Sequence, residues 1–383
     1  MPLDLDLSSE QQMLAEMVSG VTGRYSPLTT VRELEDDPTG YSTELWDQLG
    51  ELGLIGLLLP EAFGGSGMSM VDAVVVYREL GRTLTPSPHL VSSVLAGGLI
   101  ARSGTDAQQE AWLPALASGE QVWSVAVLED GGGYRPGGIS ATATAASGGD
   151  GDQFLLNGSK RHVFFGSAAD HLIVAARTAD GEGPDDGGAV DLFVVNADAD
   201  GVTLTQQMSI ASDTQYQVDL NGTPAVRLGG VGNGWDTWNQ TLTQAVILVA
   251  AQAVGGADRA LELTADYSKE RRQFDKALAE FQALSHDMAN CRTAVDGAEV
   301  LVYEAAWAHD TGRDIAKLAP MAKLFACKTF RDTTAIGQQI FGGIGFTLES
   351  DIQLYFRRAK SLQVNWWDDR HLERLIAAQV LDG

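Results

Sequence analysis

The chain has 383 residues, enough for two to four domains and a large buried core. Its 26 basic residues stand against 51 acidic ones, a formal charge of −25, and a surface of that sign repels nucleic acid and anionic lipid instead of collecting them. Hydrophobic residues make up 44%, which excludes a disordered or fibrous chain.

From the first residue to about 121, apolar residues recur at three- and four-residue steps, in Leu45 to Leu54 and again in Met70 to Leu84. Pro60 with Gly64-Gly65, and Pro86 with Pro88, break the pattern into separate helices. The start, MPLDLDLSSEQQ, is acidic and polar where a secretory leader needs a basic and then an apolar stretch, so none is expected. Between Gln121 and about Leu228 the pattern turns to short β-rich runs: Val122 to Leu128, Phe154 to Leu156, Leu172 to Ala175, Leu192 to Val195 and Tyr216 to Leu220. Asn157-Gly158 and Asn221-Gly222 supply hairpin-turn chemistry, and mobile Gly/Asp-rich insertions are expected at 147 to 152 and 179 to 188. After Gly229-Gly230 helical periodicity returns in long segments, roughly 234 to 272, 279 to 309, 313 to 344, and 350 to 380 with a break near 366. Three domains are therefore expected: helical over 1–121, β over 122–228 and a helical bundle over 229–383.

The longest apolar run, Ala245 to Ala257, is interrupted by Gln252 and is shorter than the roughly 20 residues that span a bilayer. Cys291 and Cys327 lie in apolar helical patterns without CxxC spacing, and the histidines are scattered, so neither a disulfide framework nor a metal site is expected. The chain reads as soluble and cytoplasmic, without nucleic-acid or membrane partners.

Chemistry-bearing residues cluster late in the chain. Tyr267-Ser268-Lys269-Glu270-Arg271-Arg272-Gln273-Phe274 sits at a helix end, with Phe281-Gln282 following. Arg271 and Phe274, three apart, share a helical face and offer a guanidinium together with an aromatic edge, which suits a phosphate with a ring beside it. A solvated basic helix end with Phe274 in the core is the alternative. Gln339-Ile340-Phe341-Gly342-Gly343-Ile344-Gly345 places three glycines at a helix terminus, where positive φ and close backbone approach to a ligand become available. Upstream, Pro60-Glu61-Ala62-Phe63-Gly64-Gly65-Ser66-Gly67 and Arg78-Glu79-Leu80-Gly81 read as a tight turn and a helix end with structural roles.

In their order and spacing, LPEAFGGSG, RELG, YSKERRQF with FQALSHDMA, and QQIFGGIGFTLE with YFRRAK make the chain similar to the acyl-CoA dehydrogenase flavoproteins over essentially its whole length. The resemblance implies an N-terminal helical domain, a middle β-barrel or sandwich, and a C-terminal four-helix bundle that builds dimers and tetramers. It also implies FAD, α,β-desaturation of an acyl-CoA thioester, and an electron-transfer flavoprotein or similar acceptor. In the family a Glu removes the α-proton while hydride leaves for the flavin, and each FAD crosses a subunit interface. The adenosine half is held by residues that match Arg271, Phe274, Gln282, Gln339, Gly342 and Gly343 here.

The flavin-ring half departs from the family. The two family locations of the catalytic Glu are Trp366 and Ala245 in this chain, and neither takes a proton; Asp368 and Asp369 are the nearest acids, or else a solvated turn. The hydroxyl donor to the ring becomes Leu128, the pyrophosphate-side Ser becomes Tyr134, and the ring cover becomes His162. Three functions remain open on these residues. One is a dehydrogenase subunit that clamps FAD adenosine for a partner, as α2β2, as in heteromeric actinobacterial relatives of lipid or steroid side-chain catabolism. The others are a flavin monooxygenase or oxidase on the same fold, and a flavin-free structural subunit.

Overall fold

The computed structural model describes residues 5–146, 153–178 and 190–381, so the insertions expected at 147 to 152 and 179 to 188 lie outside the described residues. Helices α1 (Ser9–Tyr25), α2 (Leu28–Glu33), α3 (Thr43–Glu51), α4 (Met70–Arg82), α5 (Gly97–Ser103) and α6 (Asp106–Ser118) come first. Strands β1 (Trp123–Ala126), β2 (Thr142–Ala145), β3 (Gln153–Phe164), β4 (His171–Thr178), β5 (Val190–Asn196), β6 (Val202–Gln207) and β7 (Gln215–Arg227) follow. The chain ends with α7 (Gly234–Glu270), a minimal hairpin of β8 (Arg272–Gln273) and β9 (Lys276–Ala277), α8 (Gln282–Asp310), α9 (Leu318–Phe341), α10 (Asp351–Val364) and α11 (Asp369–Leu381). This is the expected succession of helices, β domain and helical bundle. Among the described residues no helix is long and apolar enough to cross a membrane.

The chain divides into two compact units, each assembled from separate stretches. The first comprises Met1–Arg32, Ser69–Thr85 and Thr243–Gly383. Its early helices start where the sequence offers reciprocal caps: Ser8 Oγ accepts from Gln11 N while Gln11 Oε1 accepts from Ser8 N, and Ser69 and Asp72 repeat the arrangement at α4. Helices α4 and α7 cross backbone to backbone. A Cβ on Gly81 would stand 2.1 Å from the Gln252 carbonyl oxygen, and one on Gly255 would stand 1.9 Å from that of Arg78. Beside the crossing, Asp258 accepts from Arg82 at 2.5 Å and Arg292 at 2.6 Å, with Arg78 at 3.4 Å. Arg78 and Gly81 of RELG are thus packing residues, as expected.

The second unit comprises Glu33–Met68 and Pro86–Leu242. Strands β4, β2, β3, β7 and β5 pair in that order and β5 pairs back onto β4, closing a ring around Leu156, Val163, Val174, Phe193, Val218 and Leu220. Strands β1 and β6 extend it on β4 and β7. The two Asn-Gly pairs do not form hairpins. Asn157-Gly158 and Asn221-Gly222 lie inside β3 and β7, opposite each other at a bulge, where Asn157 Oδ1 accepts from Gly222 N at 2.8 Å. Gly158 and Gly222 take φ 149° and 61°, so the freedom that suits a hairpin serves a bend in two paired strands instead. The turn at Pro60 to Gly67 is structural: Gly64 caps a short 3₁₀ turn at φ 83°, and a Cβ on Gly65 would meet the Leu59 carbonyl oxygen at 2.1 Å.

Candidate functional site

In the first unit, α7 stops at Glu270, and this corrects the shared helical face expected for Arg271 and Phe274. Phe274 and Asp275 form the tip of the β8–β9 hairpin at φ 53° and 63°, the left-handed pair that a two-residue hairpin turn requires. Phe274 is 87% exposed rather than in the core, and its ring stands edge-on to Phe281 with centroids 6.3 Å apart. Arg271 keeps its backbone engaged, its N–H on the Tyr267 carbonyl and its carbonyl on the Leu278 N–H, each at 2.9 Å. Its exposed guanidinium forms no ion pair with the described residues. Gln282, the first residue of α8, and Gln339, in the last turn of α9, are exposed with no side-chain hydrogen bond among the described residues.

The three glycines divide their work. Gly342 ends α9 at φ 66°, Gly343 presents bare backbone, and a Cβ on Gly345 would stand 3.0 Å from Phe341 Cβ and 3.1 Å from the Gln338 carbonyl oxygen. Only the first needs positive φ, because the 3₁₀ turn Gly342–Phe346 resumes helical geometry at once. A Cβ built on Gly342 or Gly343 meets nothing within 4 Å, so the space beside them is open to a ligand. Tyr267 stacks on Phe341, 4.1 Å between centroids and 10° from parallel, and this contact brings the end of α7, hence Arg271, to the end of α9, hence the glycines. A free guanidinium, two free amides, an aromatic edge and bare backbone fit a dinucleotide's pyrophosphate and adenine.

Of the two positions where a base is expected, Ala245 is enclosed and Trp366 is half-buried. Ala245 is fully buried in α7. Trp366 and Trp367 join α10 to α11 at φ 53° and 74°, with Trp367 only 2% exposed. Two successive left-handed aromatic residues each cost about 1 to 2 kcal/mol and need an outside hold. Lys323 supplies it from α9: fully buried, it donates through Nζ to the Trp367 carbonyl at 2.6 Å and the Gln363 carbonyl at 3.2 Å. Burial pushes its amine below the usual lysine range, against the pull of Cys327, Asp369 and Asp368. A single Lys inside the stripe Ala319, Ala322, Ala326, Phe330 is the sequence signal that was there to be used. Lys323→Met should cost about 1 to 3 kcal/mol by stranding two carbonyls, and should change the near-ultraviolet circular dichroism of the tryptophan pair; an unchanged unfolding curve and spectrum contradict this. Asp368 caps α11, accepting from His371 N at 2.8 Å. Asp369 accepts from Gln363 Nε2 through Oδ2 at 2.5 Å, while its buried Oδ1 has no hydrogen-bond partner. Among the described residues no three metal-ligating side chains gather.

In the second unit, the residues after β1 are fixed by a buried ion pair. Glu129 accepts from Lys160 Nζ at 2.5 Å, Ser140 N at 2.8 Å and Ala141 N at 3.0 Å. Burial pushes the Glu129 carboxyl up, but Lys160 and these hydrogen bonds outweigh it and leave the group below its ordinary value. Burial brings the Lys160 amine down to about 8. A carboxyl depressed in the folded state adds stability above its unfolded value, and the contribution disappears as pH falls through the folded one. Wild type should therefore melt above Glu129→Gln at pH 7, with the gap closing below about pH 4; a gap independent of pH contradicts the pairing.

Leu128, half-buried, offers only its main chain, with its carbonyl accepting from Arg161 N at 2.8 Å, and Tyr134 is also half-buried. His162 stands at φ 55° on a bulge of β3. Gln215 Nε2 donates to Asp213 at 2.9 Å, so Gln215 Oε1 accepts from His162 Nδ1 at 3.0 Å and Nε2 is left as the outward acceptor. The Leu128 side chain is a hydrocarbon and can donate no hydrogen bond.

Three family descriptions match in chain order: acyl-CoA dehydrogenase N-terminal domain over residues 8–120, middle domain over 124–221 and C-terminal domain over 232–369. An acyl-CoA dehydrogenase of Bacillus subtilis (strain 168) is 30% identical over 389 residues, covering 99% of this chain and 100% of that protein. Among solved structures, butyryl-CoA dehydrogenase from Megasphaera elsdenii superposes with a TM-score of 0.90 at 27% identity, covering 99% of this chain and 100% of that one. The ChsE4-ChsE5 complex from Mycobacterium tuberculosis gives 0.86 at 26% identity, with 99% of each chain covered. With the helix, β and helix succession and the motifs in their places, the chain belongs to the acyl-CoA dehydrogenase family of FAD-dependent acyl-CoA oxidoreductases.

Proposed function

We propose that this chain is the FAD-clamping subunit of a heteromeric acyl-CoA dehydrogenase, an α2β2 assembly. In it, a related partner supplies the ring pocket, the acyl-CoA site and the catalytic carboxylate. One contrast carries the reading: Arg271, Gln282, Gln339, Gly342 and Gly343 stand free to take a nucleotide, whereas the base positions hold a buried methyl, Ala245, and an indole, Trp366. Bound FAD supplies the hydride acceptor for α,β-desaturation. The Arg271 fork neutralises the pyrophosphate, the two amides donate and accept at polar edges, Phe274 offers a ring edge, and Gly342 and Gly343 let the ligand meet the backbone. The Trp366 indole only donates a hydrogen bond and takes no proton, and in this reading the α-proton of the acyl-CoA leaves to the partner's carboxylate. Similarity to a two-protein complex supports a partner subunit, and an electron-transfer flavoprotein in the cytoplasm is the proposed acceptor.

Native mass spectrometry and anaerobic acyl-CoA reduction, on the chain alone and on the co-purified assembly, test this. The chain alone should be poor in flavin and inactive, and the assembly should carry about one FAD per heterodimer. A homo-oligomer with one FAD per chain that desaturates acyl-CoA overturns the reading. It would favour Asp369 as base, whose buried, unpartnered Oδ1 is the observation behind that second reading.

A further inference from the structure

The geometry points to Arg32, near the end of α2, as the positioning residue of the nucleotide clamp, an inference that rests on the FAD reading above. The clamp segment leaves α9 at Gly342 and reaches α10 through consecutive turns, Thr347 N donating to Ile344 O and Ser350 N to Thr347 O, each at 3.1 Å. Ile344, Phe346 and Leu348 along it are 54, 71 and 74% exposed, so the segment buries too little to fix its own shape. Its two ends are fixed from other helices. At the first, Phe341 lies flat on Tyr267. At the second, the Arg32 guanidinium donates to the Leu348 carbonyl at 3.4 Å, the Glu349 carbonyl at 3.3 Å and Asp351 Oδ1 at 2.8 Å.

Two of those three acceptors are main-chain carbonyls, so the planar fork sets backbone position directly, which a lysine's single ammonium cannot reproduce. The Arg32–Asp351 pair is 29% and 46% exposed and adds little to the stability of the fold. What the fork determines is where the stretch from Gly342 to Ser350 comes to rest, and hence how its backbone meets a nucleotide. Arg32 is 316 residues from the carbonyl it grips, and no motif contains it.

The experiment compares Arg32→Met and Arg32→Lys with Arg271→Ala in the flavoprotein as purified with its partner. Three quantities are read: FAD affinity on rebinding, amide hydrogen exchange of the flavin-free protein, and its thermal midpoint. Arg32→Met should weaken FAD about tenfold. It should raise exchange within 342–350 only, and leave the flavin-free midpoint within about 2 °C. Arg32→Lys, which keeps the Asp351 pair, should fall between. If Arg271→Ala loses FAD and Arg32→Met does not, the inference fails while the FAD reading stands. If neither loses FAD, the reading fails and the inference with it. A general rise in exchange with a lowered midpoint makes Arg32 merely structural and also overturns the proposal. Should the Met variant not fold, the Lys variant decides on the same three readouts.

Discussion

Arg271→Ala should lose FAD affinity by about ten- to a hundred-fold, the effect of removing a charge-assisted donor from a dianion. The variant isolates that effect because the guanidinium has no ion pair within the described chain, and both hydrogen bonds that hold Arg271 in place, to Tyr267 and Leu278, are made by its main chain. Folding stability without flavin should therefore be unchanged. Arg271→Lys should recover part of the loss, since an ammonium keeps the charge but not the fork. Flavin content after gel filtration, measured in the assembly with its partner, gives the answer; equal content in wild type and Ala variant removes Arg271 from the clamp.

Gly255→Ala should destabilise the first unit by at least about 2 kcal/mol, although alanine is the better helix former by about 1 kcal/mol. The new methyl would sit 1.9 Å from the Arg78 carbonyl oxygen and 2.8 Å from its carbon. Both are backbone atoms of α4, so no side-chain rotation relieves the clash and the helices must part. Separation also strains the Asp258 ion pairs with Arg78 and Arg82 beside the crossing. Gly343→Ala is the control: nothing lies within 4 Å of its Cβ, so stability should not move. Urea unfolding that leaves Gly255→Ala equal to wild type shows that the close crossing is absent in solution.

What the sequence displayed, and what it hid, follows from how each feature is encoded. Helices α3, α4, α8 and α10 were readable because their buried faces recur at helical spacing between breakers, and the break near 366 holds the α10–α11 junction. Strands β2 and β6 were not, since Thr142–Ala145 and Val202–Gln207 expose one face and read as polar loops. The helix end near 272 was readable, but the hairpin after Arg271 was hidden because Arg-Arg-Gln-Phe carries none of the Gly, Asn or Pro that marks a tight turn. In the site, the clamp residues were legible through motifs in order. The contacts of Arg32 with the Leu348 and Glu349 carbonyls were not, because main-chain acceptors have no letter in the sequence. His162 showed as an isolated imidazole, and only the pairing of β3 with β7 reveals Gln215 behind it.

The first compact unit draws on Met1–Arg32, Ser69–Thr85 and Thr243–Gly383, with the whole of the sheet-bearing stretch between its parts. During synthesis, α4 leaves the ribosome with its apolar residues in place long before α8, which packs against this helix through Arg78–Glu299 and the Asp310 carboxylate at its first turn, exists. At translation rates of roughly 5 to 20 residues per second, that wait lasts about 10 to 45 seconds. The second unit ends at Leu242 and can close during this interval. Truncated chains that stop short of α8 should accordingly be captured by chaperones through α1 and α4 even when the β ring inside them is native.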